Sequence, residues 1–202
     1  MTTIASALLI CLPGLSTPPQ KLRVDIAIEG AAPPPQFLAA AIEEAADIWA
    51  AYGVKVQRPD AHDAGHDRIV RLVVKLAPPA KKPAAAEALG SIAFTGETPE
   101  PAIELYPAAA SALIAAVAFN RRQDGWPAAA QDRVLARVLG RALAHEIGHF
   151  LLRSKHHSTN GLMKAEQSGS ELMAPEHRGF SLSPDEVRRF RGVLSTSGDV
   201  QD

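Results

Sequence analysis

Four histidines and one glutamate fall within thirteen residues, from His145 to His157. Two of the histidines, His145 and His149, are four apart, and Glu146 follows the first. On a helix, at about 100° per residue, positions i and i+4 lie roughly 40° apart and one turn along, so both imidazoles point to the same side. Each neutral imidazole offers one nitrogen lone pair, and His-Glu-x-x-His on a helix is the spacing by which two of them hold one zinc ion. Glu146 then stands beside the pair, placed to take a proton from water activated at that ion. A catalytic zinc takes three protein ligands and leaves one position for water. After Phe150, Leu151 and Leu152 comes a polar turn, and then His156 and His157, either of which offers a third imidazole. A structural zinc would use four protein ligands, usually including cysteines. The one cysteine, Cys11, lies far from the motif.

The layout resembles the metzincin clan of zinc peptidases, most closely its matrixin-like branch. There the pattern is His-Glu-x-x-His-x-x-Gly-x-x-His, often followed by Ser and then by a tight turn that carries a methionine beneath the metal. His145, Glu146, His149, the pair His157-Ser158 and Met163 match this order. Two positions depart from it: Leu152 stands at the family's glycine and Lys155 at its third ligand, which makes the loop to His157 two residues longer. The resemblance implies one catalytic zinc held by His145, His149 and His157, with His156 as the fallback ligand. It makes Met163 the turn methionine, with Met173 in Leu172-Met173-Ala174-Pro175 as the fallback. It implies a zinc endopeptidase that hydrolyses peptide bonds, with Glu146 as general base and an extended substrate along an edge strand. Ala102 to Tyr106 or Ser91 to Phe94 is the expected edge. Tyr106 and His177 are the residues considered as a second electrophile. Three neutral imidazoles are required, so activity is expected to fall below about pH 6.

The elements that must carry these residues follow from periodicity. Leu22, Val24, Ile26 and Ile28 alternate with Lys21, Arg23, Asp25 and Ala27, the pattern of a half-buried strand. From Phe37 to Ala51 the positions Leu38, Ala41, Ile42, Ala45, Ile48 and Trp49 recur at helical spacing, Gly53 closes the helix, and Trp49 reads as a packing anchor. Val54 to Val56 is a second strand. Ile69 to Leu76 is a third, richly apolar (Val70, Leu72, Val73, Val74, Leu76) and therefore central. Ala88 to Phe94 and Ala102 to Tyr106 are a fourth and a fifth, with Thr95 to Pro101 as a turn region. A helix over 108–119 is followed by a long one that starts near Pro127 and runs through Leu152. A last helix begins at Ser183-Pro184-Asp185-Glu186 and reaches about Leu194, with Val187, Phe190 and Val193 facing inward. The expectation is an α+β fold: a small twisted mixed sheet of about five strands packed by two or three helices, as one zincin-like or metzincin-like catalytic domain. The loop histidines His62 and His66 read as surface residues, because Pro59 and Gly65 oppose a helix there.

At 202 residues one catalytic domain, 21–195, is expected, with a flexible tail at 196–202. The apolar run Ile4 to Leu12 is too short to cross a bilayer but has the length of a secretory core segment. Residues 1–20 are thus read as a signal peptide, although Met1-Thr2-Thr3 lacks the basic charge such leaders carry, and the protein is expected to be secreted or periplasmic. The net charge of −1 and a pI near 6.7 give no basic excess for nucleic acid. A peptide or protein substrate, a monomeric state and no stable membrane insertion complete the expectation. Two readings compete. In one, a gluzincin-type hydrolase takes Glu166 or Glu171 as its third ligand. In the other, the chain is a non-catalytic zinc-binding interaction module, which the intact Glu146 opposes.

Overall fold

A computed structural model describes residues 22–30, 36–59, 68–78, 88–120 and 127–196. The leader, the loop with His62 and His66, and the tail beyond Thr196 lie outside the described residues. Five strands form one mixed sheet: β1 (Leu22–Glu29), β2 (Val54–Gln57), β3 (Arg68–Leu76), β4 (Gly90–Thr95) and β5 (Thr98–Leu105), in the order β2-β1-β3-β5-β4. β1, β2, β3 and β5 run parallel, and β4 runs antiparallel on β5 at one edge. The apolar β3 is central, as its sequence requires. The region around Gly96 is tighter than expected. Pairing continues from Phe94–Pro99 to Thr95–Thr98, so only Gly96 (φ +61°) and Glu97 turn. Of the two expected edge segments, Ser91 to Phe94 is the edge. Ala102 to Tyr106 is not, because β5 is paired on both sides.

Five helices are described: α1 (Gln36–Ala50), α2 (Pro107–Asn120), α3 (Ala128–Leu152), α4 (Gly169–Met173) and α5 (Pro184–Thr196). Four of them answer to the helices read from the sequence. The short α4 was missed, although Ser168-x-x-Glu171 is a capping box: Ser168 Oγ accepts from Glu171 N–H while the Glu171 carboxylate accepts from Ser168 N–H. None of the described helices is long and apolar enough to cross a membrane.

One face of the sheet, with Val24, Ile26, Leu72, Val74, Ile103 and Leu105, joins α1 and α3 in a single core. α1 and α3 cross at Gly140, where an added methyl would come within 2.6 Å of Ala41 O and Glu44 Cβ. Arg141, one residue on, is buried and ties three segments together. Its guanidinium donates to Glu44, to Glu171 O and Leu172 O, and to Glu176 O, and it lies 4.4 Å from the Phe180 ring centre. Trp49 is fully buried and donates its indole N–H to Ala144 O at 3.0 Å. β1 departs from its expected half-buried pattern. Arg23 and Asp25 are buried on the far face and pair with each other at 2.9 Å, which offsets the desolvation of both charges.

Candidate metal centre

The motif sits in the last two turns of α3, whose side chains from Val138 to Ala144 are buried. That burial fixes the backbone that carries His145, Glu146 and His149. Gly148, between the motif residues, has a packing reason: a side chain there would collide with Met163 Sδ, with Trp49 in ordinary contact beyond it. Met163 is therefore fully buried directly beneath the motif helix. Met173 lies elsewhere, at the end of α4, where its carbonyl accepts from Arg137 at 3.0 Å. α3 ends at Arg153, which takes the left-handed conformation (φ 47°, ψ 51°) and returns its N–H to His149 O and Phe150 O. The turn thus falls one residue after Leu152.

Each helix imidazole is oriented through its Nδ1. That of His145 lies 2.8 Å from Leu162 O, and that of His149 lies 2.6 Å from Ser154 O. A carbonyl only accepts, so both Nδ1 atoms carry the proton and both Nε2 atoms carry a lone pair. These two Nε2 atoms face each other at 3.0 Å. Two lone pairs at that distance repel unless a cation lies between them. Two nitrogens on one tetrahedral zinc, each about 2.0–2.1 Å from it, would stand about 3.3 Å apart, so the donor pair fits such an ion. His157 joins them. Its ring centre is 5.2 Å from that of His145 and 4.9 Å from that of His149, and one ligand atom from each of the three residues lies within 4.8 Å of the others. Among the described residues this is the only such group of His, Cys, Asp or Glu. His156 is not in it; its backbone N–H instead donates to Ser154 Oγ at 3.2 Å. Glu166 lines the cleft without joining the group, and Glu171 is engaged by Ser168 and Lys164.

Burial governs the electrostatics. It pushes the His145 pKa down to about 4, helped by neighbouring His149 and His157 and opposed by the Leu162 carbonyl and Glu186. It lowers His149 as well. Glu146 is raised to about 7 by one cause, desolvation. The helix imidazoles are thus held neutral, the form that binds metal.

The group opens into a cleft of about 720 Å³. One wall is β4, the edge strand of the sheet among the described residues, and Gly90 in it lies so close that an added methyl would come 3.2 Å from Glu146 Cγ. Further along β4 the Phe94 ring lies edge-on to His149 at 6.5 Å, with Lys155 Nζ 5.5 Å from the same ring. Lys155 Nζ also meets Glu97 at 3.0 Å. Neither Tyr106 nor His177 lines this cleft. The Tyr106 hydroxyl is shared between Ser91 and Glu104, and His177 lies 3.1 Å from Glu44. Sequence reasoning missed the carbonyls of Ser154 and Leu162 that orient the imidazoles, because a backbone acceptor leaves no mark in a sequence. It also missed Phe94 and the contacts of α5. Comparison with protein-family models, with curated proteins and with solved structures found no match to this chain.

Proposed function

We propose that the chain is a zinc-dependent endopeptidase. One observation carries the reading: His145 and His149 direct unprotonated Nε2 atoms at a shared point beside His157, with Glu146 lining the same cleft beside the edge strand of the described sheet. His145, His149 and His157 would hold the ion. When bound there, zinc polarises a peptide carbonyl and acidifies water. The chain's own residues do the remainder. β4 receives an extended peptide by strand addition, which brings main-chain hydrogen bonds to the substrate and places its backbone across the cleft. Glu146 takes a proton from the attacking water and passes it to the leaving amine. Its buried carboxylate, walled by β4, keeps that proton from bulk solvent. Leu162 O and Ser154 O keep the imidazoles in the metal-binding tautomer.

The test is cleavage of a casein-type substrate in the presence of zinc by the purified wild type and by Glu146→Ala. Cleavage by the wild type, lowered about 10²–10⁴-fold in the variant, is expected, since that is the usual contribution of a positioned acid–base group. Equal cleavage by both proteins, or none by the wild type, would overturn the peptidase reading.

A further inference from the structure

α5 lies off the cleft, yet two of its side chains reach the loop that carries His157. Glu186 Oε1 is 2.8 Å from Ser158 Oγ, while its other oxygen accepts the Ser183 N–H at 2.6 Å. Ser158 Oγ is also 3.0 Å from Asn160 O, but its single proton favours the charged acceptor. Three residues along α5, Arg189 donates to Ser154 Oγ at 2.9 Å. Ser154 is the residue whose carbonyl orients His149, and Ser158 follows His157 directly. The two α5 side chains therefore grip both ends of the segment 154–158.

α5 is a fixed platform for this grip. Phe190 is buried with its ring centre 5.9 Å from that of Trp49, and just before the helix Leu182 N–H donates to the Tyr52 hydroxyl at 2.6 Å. Glu186, Arg189 and Phe190 stand at i, i+3 and i+4, so one face of the helix both enters the core and holds the loop. His157 itself is exposed. Its neighbour Ser158 is tied through its backbone to the methionine turn, with N–H to Met163 O at 2.8 Å in a parallel bridge to Lys164. The α1–α3 core fixes His145 and His149, and it does not reach His157.

We propose that Glu186 and Arg189 are positioning residues for the metal: by fastening Ser158 and Ser154 to α5, they set where His157 stands against His145 and His149. The proposal rests on the zinc reading above. Neither side chain touches the ion or substrate. Their effect is on the third ligand, and partners of this outer kind are worth about 10–100-fold in metal affinity.

Glu186 also caps α5, so Glu186→Ala would confuse helix stability with loop position. Ser158→Ala removes only the loop side of that contact, and Arg189→Ala leaves the cap intact. The experiment measures zinc affinity of the metal-free full-length chain by competition with a chromophoric chelator, and the visible absorption of the Co²⁺-substituted chain. The proteins are wild type, Ser158→Ala, Arg189→Ala, Arg189→Lys and His149→Ala. Zinc binding about 10–100-fold weaker in Ser158→Ala and Arg189→Ala, with altered cobalt bands and partial recovery in Arg189→Lys, is expected. Wild-type affinity and an unchanged cobalt spectrum in both alanine variants would overturn the positioning role while leaving the zinc site standing. A wild type that binds no zinc, or a His149→Ala chain that binds it as well as the wild type, would overturn the zinc reading and this proposal with it.

Discussion

The two halves of the candidate centre are built by different physics. His145, Glu146 and His149 ride on a helix whose neighbours Leu143, Ala144 and Ile147 are fully buried, with Met163 packed tightly against Gly148. Close packing holds that half, and packed interiors yield little. His157 is itself exposed, on a loop whose Ser154 and Ser158 are held by polar contacts to Arg189 and Glu186. Polar contacts in water are individually weak and tolerate local adjustment. In the account proposed above the difference is a division of labour: core packing places the two helix imidazoles, and polar contacts to α5 place the third.

If the helix half is a packed unit, a stability effect belongs to its tightest contact. Gly148→Ala is expected to destabilise the protein by about 1–2 kcal/mol in denaturant unfolding, because the fully buried Met163 must repack, less what alanine gains in helix propensity. Wild-type stability in this variant would show that Met163 gives way freely and that the motif helix is not tightly packed there.

The same burial predicts a pH signature in the metal-free protein. The folded-state pKa of Glu146 is raised from 4.5 to about 7, so folding disfavours its charged form. Stability is lost as pH rises through that window and is unpenalised below about 4.5. Metal-free Glu146→Gln should therefore be more stable than the wild type at pH 8, by at most about 3 kcal/mol, with the gain vanishing by pH 4. A gain that persists at pH 4 would point to packing rather than charge.

The loop half offers the smallest effect. Arg153 is the one described non-glycine residue with positive φ, where a side chain costs about 1 kcal/mol or more. Arg153→Gly should raise stability by up to about 1 kcal/mol, less whatever the unfolded chain gains in freedom. Destabilisation would show that the arginine side chain contributes more than its backbone strain removes.

The same contrast explains what could be read in advance. Apolar periodicity revealed α1 and α3, and four-residue spacing put His145 and His149 on one side, because local repeat and helical geometry decide both. The alternation of β1 was read correctly for Leu22, Val24 and Ile26, but Arg23 and Asp25 were assigned to solvent. Their mutual pairing in a buried setting carries no periodic signal. Around Gly96, Pro99 and Pro101 suggested a broad turn. Both instead sit within β5, with Pro99 paired with Phe94 beside the turn and Pro101 exposed in the irregular stretch between that pair and Ile92–Ile103. The loop half was least legible. Choosing between His156 and His157 needed the family order, and the structure brings His157 and not His156 to the pair. The α5 contacts span 28 and 35 residues, beyond any local pattern.

The central claim is most directly tested by zinc titration of the metal-free chain, with His145→Ala, His149→Ala, His157→Ala and His156→Ala beside the wild type. One ion per wild-type chain is expected. Binding should be lost in the two helix variants, weakened in His157→Ala by more than the 10–100-fold expected for outer-shell changes, and unchanged in His156→Ala. A wild type that takes up no zinc, or variants of His145 and His149 that bind it undiminished, would contradict the account.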